Sequence, residues 1–323
     1  MYIENIKFSL WADFIERDFL EKKFIELVNS GIVNGATSNP AIFKNAFLNS
    51  KAYEEQKKEL GLKGKKLYEA LAIADIQRAA DILKPLYERG DDGFVSIEVD
   101  PFYCDDTAAT IEDGISLYNA INRKNVMIKI PATKAGYDAM KTLLAKGIHI
   151  NATLIFSVEQ AKKVLEAYKS SNAPKGTKLV ISVFVSRFDR LLDEKLPMNL
   201  KGMAGVMNAS KIYNIIQDAK LEDVKTLFAS TGVKGDIYEP SYYVDELIGA
   251  NCINTAPIET IDAFVKNGVK EQALPRDEAI INKYFMILSD MKIDFQAVCN
   301  ELLNDGILQF KDAFRDIIKA LEK

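Results

Sequence analysis

Val95-Ser96-Ile97-Glu98-Val99-Asp100 and Val126-Met127-Ile128-Lys129-Ile130-Pro131-Ala132 decide the fold. Strands of a parallel sheet are covered on both faces and read as near-continuous apolar runs. Alternate side chains point to opposite faces, and these two runs split by parity. Val95, Ile97 and Val99 oppose Ser96, Glu98 and Asp100; Val126, Ile128 and Ile130 oppose Met127, Lys129 and Pro131. One face is apolar, and the other holds a carboxylate in the first run and an amine in the second.

The same reading extends outward. Short β-rich runs fall at 9–14, 35–39, 95–100, 126–132, 150–157, 179–185, 226–230 and 253–257, eight in all. In the first, Leu10 and Ala12 oppose Ser9, Trp11 and Asp13; in the second, Ala36 and Ser38 oppose Thr37 and Asn39. In the fifth, Ile150, Ala152, Leu154 and Phe156 oppose Asn151, Thr153, Ile155 and Ser157; in the sixth, Ile181 and Val183 oppose Ser182 and Phe184. The apolar face packs on helices. The other face gathers Asp13, Asn39, Glu98, Lys129, Asn151, Thr153, Ser182 and Ser230. Segments with helical spacing, such as 158–169 and 258–266, separate most runs. Alternating β/α units predict a closed (β/α)8 TIM barrel, with an open doubly wound sheet as the competitor. A closed barrel brings the polar set together inside, where isolated polar groups cost several kcal/mol each unless they pair or line a wet cavity.

The chain reads as a single barrel domain over 1–323 with two helical additions, an insertion over about 40–94 and a C-terminal extension over about 290–323. The lysine-rich stretch 57–66 reads as a solvated helix face and loop. In the extension, Phe310, Phe314, Ile317 and Leu321 form one apolar stripe at helical spacing, the mark of a helix docked over the barrel, closing the site or joining two subunits.

Composition excludes several chemistries. The 323 residues (36.1 kDa) are 48% apolar and carry a net charge of −4, which argues against a broad nucleic-acid surface. His149 is the sole histidine, so a two-histidine zinc motif cannot form and histidine general acid/base chemistry has one candidate. Cys104, Cys252 and Cys299 are odd in number and widely spaced, giving no C-x-x-C pair and no disulfide framework. No apolar run reaches the ~18 residues of a membrane span, and acids interrupt the N-terminal stretch where a signal peptide would be apolar. A soluble, cytoplasmic protein is expected, and the N-x-[ST] matches at Asn151 and Asn208 are then fortuitous.

The reactive candidate is Lys129. Burial among Met127, Ile128, Ile130 and Pro131 favours a neutral, nucleophilic amine, while neighbouring carboxylates pull the other way. Such an amine attacks carbonyls to form a Schiff base, whose iminium serves as an electron sink for making or breaking a C–C bond. Asp13 and Glu98 are interior carboxylates available for the proton transfers. The competing reading of Lys129 is a buried ion pair with Glu98. Arg187 closes the sixth run, and the seventh leads into Ser230-Thr231-Gly232-Val233-Lys234-Gly235. Barrels often bind phosphate after the seventh and eighth strands, where glycines expose backbone N–H groups and cations add charge. Neither G-x-x-x-x-G-K-[ST] nor G-x-G-x-x-G occurs, so no nucleotide cofactor is indicated.

Seven segments together resemble the transaldolase family: Ser9-Leu10-Trp11-Ala12-Asp13, Thr37-Ser38-Asn39-Pro40-Ala41-Ile42-Phe43, Val95-Ser96-Ile97-Glu98-Val99-Asp100, Ile128-Lys129-Ile130-Pro131-Ala132-Thr133, Ile150-Asn151-Ala152-Thr153-Leu154-Ile155-Phe156-Ser157, Ser182-Val183-Phe184-Val185-Ser186-Arg187 and Ala229-Ser230-Thr231-Gly232. They follow the family's order from residue 9 to residue 257. The resemblance implies a barrel enzyme of the pentose phosphate pathway. It would move a dihydroxyacetone unit from sedoheptulose 7-phosphate to glyceraldehyde 3-phosphate, with sugar phosphates as partners and no cofactor or metal. No nucleic acid or membrane is expected to bind, and the chain is expected to be a monomer or homodimer. By similarity Lys129 is the Schiff-base nucleophile and Asp13 the acid/base at the donor's C4 hydroxyl. Glu98 and Thr153 handle a catalytic water. Asn39, Asn151 and Ser182 hold the dihydroxyacetone hydroxyls, Phe184 packs beside the imine, and Arg187 and Ser230 bind phosphate. Many members carry arginine where this chain has Gly232; Lys234 is the nearest replacement, as in longer members of the family. The nearest rival is a fructose-6-phosphate aldolase of the same superfamily, which resembles shorter chains with glutamine and tyrosine in place of Glu98 and Phe184.

Overall fold

All eight runs form parallel strands, and each pairs with the next until the last closes on the first. The computed structural model describes residues 1–235 and 237–322. The strands are β1 Ser9–Ala12, β2 Gly35–Thr37, β3 Val95–Glu98, β4 Val126–Pro131, β5 His149–Ile155, β6 Leu179–Phe184, β7 Val224–Ala229 and β8 Cys252–Ala256. Between β1 and β2 the chain makes α1 Arg17–Phe19, a π turn and α2 Ile25–Asn29. The long gap before β3 holds α3 Pro40–Asn49, α4 Glu54–Leu60 and α5 Gly64–Glu88. The crossovers that follow are α6 Thr107–Ile121, α7 Lys134–Ala145 and α8 Val158–Ser170. After β6 come α9 Ser186–Leu192 and α10 Ala204–Asp218, and after β7 the short α11 Tyr242–Asp245. Three helices follow β8: α12 Ile258–Asn267, α13 Glu278–Asp290 and α14 Phe295–Leu321. None of the helices among the described residues is long and apolar enough to cross a membrane.

Parity predicts the two faces of most strands. Val95, Ile97, Val126, Ile128, Ile130, Ile150, Ile181 and Val183 are buried in the core shared with the helices. Trp11, Phe94, Met127, Val180, Leu227 and Ile253 form a second apolar cluster. Trp11 lies opposite Gly35 across β1 and β2. A Cβ at Gly35 would stand 2.4 Å from the indole, so only glycine leaves room for the ring. The indole N–H donates to Asp92 at 2.9 Å, which satisfies its one polar atom.

Parity fails beyond Ala152. Leu154 takes a left-handed φ of 57° and the β5–β6 register shifts between Ala152 and Ile155. An extra residue in one strand flips the side chains beyond it. Ile155 therefore joins the helix-facing core. Leu154 and Phe156, expected on that side, pack instead with Phe184 and Phe188. The strands also end sooner than expected. Asp13 lies one residue past β1, and Asn39 is the N-cap of α3, its side-chain oxygen accepting the Ile42 N–H at 3.0 Å. In the stretch 57–66, read as solvated, Lys65 is bonded to Asp100 at 2.6 Å, tying the insertion to β3 and its loop, and Lys57 is bonded to the Phe47 carbonyl at 2.6 Å within the insertion.

His149 starts β5 beside Met127, two residues before Asn151, and so lies a full step of the strand away from Lys129. Its Nδ1 accepts the Lys178 N–H at 2.8 Å and its ring meets Phe94 edge-on. Burial, reinforced by the Lys178 charge, pushes the imidazolium down to about 4. The unfolded chain titrates near ~6.5, so between those values the unfolded state binds the extra proton. Stability is then lost as the pH falls through that window and is flat below it. Chemical denaturation at pH 7 and pH 4.5 is expected to show wild type losing ~2 kcal/mol more than His149→Gln. Equal losses would contradict a neutral buried His149.

Candidate active site

A cavity of about 170 Å³ opens at the C-terminal ends of the strands. Its wall includes seven of the predicted residues: Asp13, Asn39, Lys129, Ser182, Phe184, Arg187 and Ser230. Glu98, Asn151 and Thr153 are buried beside it but outside the wall. Register places them: Glu98 lies across from Lys129, Lys129 across from Asn151, and Pro131 across from Thr153. Lys234 stands exposed on the loop after β7, outside the wall.

The Lys129 side chain is 7% exposed. Its amine donates to the Ser38 carbonyl at 3.1 Å and stands 3.8 Å from Glu98 Oε2. That separation is an ion pair but exceeds hydrogen-bond length. Both Glu98 oxygens are buried and accept no hydrogen bond from the described residues. Burial, partly offset by the Lys129 charge, pushes the Glu98 carboxyl up to about 7, so at neutral pH it can both give and take a proton. Thr153 Oγ1 is likewise buried with no hydrogen-bond partner among the described residues.

Asp13 accepts from Thr37 Oγ1 at 2.7 Å, and that hydroxyl is 2.7 Å from Thr255 Oγ1. Burial raises the Asp13 carboxyl, opposed by the Lys129 charge and the Thr37 hydrogen bond. Ser182 donates to Asn151 at 2.6 Å, and Asn151 donates to Ser96 at 3.0 Å, which fixes the Asn151 amide orientation. Across the cavity, Arg187 lies over the Phe184 ring at 5.1 Å. Its Nε and Nη1 are buried with no acceptor among the described residues. Burial, with the charge of Arg190, lowers this guanidinium to about 10. The Asp305 charge opposes this fall, but among the described residues no carboxylate comes within ion-pair distance, and a desolvated cation so placed can meet an anion. Ser230, expected inside from parity, arrives otherwise: Leu227 and Ala229 hold the inward parity of β7, and a φ of 56° at Ser230 turns its hydroxyl to within 3.1 Å of Ser186.

Seven wall residues fell outside the predicted site: Thr37, Ala41, Leu227, Ala229, Thr255, Gln309 and Phe310. Thr37 shares the parity of Asn39 and was legible as inward-facing. Phe310 was legible only as part of a buried stripe, and its ring in fact roofs the amine, 5.9 Å from Lys129 Nζ. The helix that carries it, α14, packs on α3 and α5.

An inward lysine beside two raised carboxyls thus stands at the C-terminal mouth of a barrel, with Arg187 in the same cavity wall. Residues 10–321 match the family described as Transaldolase/Fructose-6-phosphate aldolase. A Campylobacter jejuni protein named Transaldolase is 47% identical over 330 aligned positions, covering 97% of this chain and 99% of that one. A Helicobacter pylori protein of the same name is 40% identical over 316 positions, with coverage of 97% and 99%. The chain belongs to the transaldolase/fructose-6-phosphate aldolase family.

Proposed function

We propose that this chain is a transaldolase working through a Schiff base on Lys129. The observation that carries the reading is the Lys129 amine, the one buried lysine among the described residues, 3.8 Å from a carboxyl raised to about 7 and within a cavity that also holds Asp13. The Lys129 amine attacks the ketone carbon of sedoheptulose 7-phosphate. Glu98 and Thr153 manage the water lost as the carbinolamine becomes an iminium. Asp13 takes the proton from the C4 hydroxyl while the C3–C4 electrons flow into the iminium, and erythrose 4-phosphate leaves. The enamine of dihydroxyacetone stays on Lys129 and attacks the aldehyde of glyceraldehyde 3-phosphate as Asp13 returns the proton. Hydrolysis then frees fructose 6-phosphate and the amine. Asn39, Asn151 and Ser182 are assigned to the dihydroxyacetone hydroxyls, Phe184 to packing beside the imine, and Arg187 with Ser230 to the phosphate. Lys234, exposed and outside the wall, is not required for this reading. The three cysteines are buried and free, which supports a reducing, cytoplasmic setting.

Borohydride reduction in the presence of a ketose phosphate, followed by peptide mapping, tests the reading: a stable adduct is expected on Lys129. Substrate binding without any trapped adduct would leave only a phosphosugar-binding barrel. Asp13→Ala is expected to form the same adduct yet lose C–C cleavage by ~10²-fold or more, the scale of a general acid/base. Failure of that variant to form the imine would contradict the role given to Asp13.

A further inference from the structure

The outer wall of the cavity comes from α14 rather than from the barrel. Gly306, Gln309 and Phe310 stand at i, i+3 and i+4 and so share one helix face. A Cβ at Gly306 would lie 2.9 Å from Leu154 Cδ2 and 3.3 Å from Arg187 Nη1, so the helix backbone abuts the guanidinium only because this residue is glycine. Phe310, at the other end of the face, roofs the amine. Gln309, next to Phe310 in the cavity wall, is exposed to solvent. A sugar phosphate held by its ketone at Lys129 and by its phosphate at Arg187 would lay its carbinol carbons along the cavity that Gln309 and Phe310 help to line. A primary amide offers two donors and an acceptor, which suits a row of hydroxyls that each donate and accept. It also carries no charge to compete with the guanidinium.

We propose that Gln309 is a specificity-determining residue that hydrogen-bonds the hydroxyl chain between the carbonyl and the phosphate of the bound sugar, and that Gly306 lets α14 seat closely enough for this contact. The inference rests on the roles of Lys129 and Arg187 proposed above and extends them to a helix outside the barrel.

The test uses the full-length protein and Gln309→Ala. KM for sedoheptulose 7-phosphate is expected to rise about 3- to 10-fold, the scale of one lost neutral hydrogen bond, with kcat within about 2-fold. Inhibition by inorganic phosphate should be unchanged. So should borohydride trapping of free dihydroxyacetone, which has no carbons beneath the helix. An unchanged KM would overturn the contact, and so would phosphate inhibition weakening in step with KM, because the variant would then have displaced the helix. In Gly306→Ala the added methyl is expected to weaken phosphate inhibition, and full retention would overturn the seating role. Absence of any adduct in wild type would instead sink the Lys129 reading, so the two failures remain distinct.

Discussion

Lys129→Met is expected to abolish the trapped adduct and to lower turnover by more than ~10⁴-fold, the scale seen when a covalent nucleophile is removed. Methionine keeps an unbranched chain of similar reach and suits apolar neighbours, so the barrel should persist. The other consequence falls on Glu98. In wild type the Lys129 charge opposes the rise of its carboxyl. Without that charge the carboxyl rises further and is protonated at neutral pH, which avoids an unpaired buried anion. The variant should therefore unfold near the wild-type denaturant concentration while losing its chemistry. Were Lys129 only half of a structural ion pair, turnover would survive. An adduct persisting in the variant would place the nucleophile elsewhere. Inorganic phosphate should still bind at Arg187, which separates loss of the amine from collapse of the mouth.

The second large effect is on folding. Asp75 is fully buried and accepts from Arg17 Nη2 at 2.9 Å, from Arg17 Nε at 3.1 Å and from the Tyr53 hydroxyl at 2.6 Å. Arg17 also lies over the Tyr53 ring at 4.6 Å. The cluster fastens the start of α1, four residues after Asp13, to the long helix α5 of the insertion. Breaking a buried ion pair strands the remaining charge, at ~3–5 kcal/mol. Asp75→Leu should lose that much in chemical denaturation, and Arg17→Met combined with Asp75→Leu should recover most of it, because the pair itself adds little once both charges are gone. A single variant as stable as wild type, or a double variant worse than the single one, would refute this account. The lost stability should exceed any change in adduct trapping, since neither residue lines the cavity.

Strand parity located Lys129, Glu98 and Asn151 because β3, β4 and the first half of β5 are regular and pair in simple register. It misplaced Leu154 and Phe156 because nothing about a leucine announces a left-handed φ; that conformation is uncommon for non-glycine residues and is imposed by the surrounding barrel. Ser230 was assigned to the interior correctly, yet it gets there through backbone inversion rather than alternation. The tie of Thr37 to both Asp13 and Thr255 depends on neighbours that only barrel closure brings together. Lys65 looked solvated because its partner, Asp100, is 35 residues away. Gln309 was invisible for a similar reason. Helical spacing shows which face of α14 is apolar, but where that face lands depends on the route taken by the residues before it.

That route also has a temporal consequence. All eight strands precede α14 in the chain, so during translation the barrel can close while its roof is still inside the ribosome. At that stage the amine of Lys129 faces bulk water, without the aromatic cover of Phe310 and without the amide of Gln309. Closure of the barrel and enclosure of the reacting nitrogen are thus separate events in the birth of the molecule, and the second awaits the final helix.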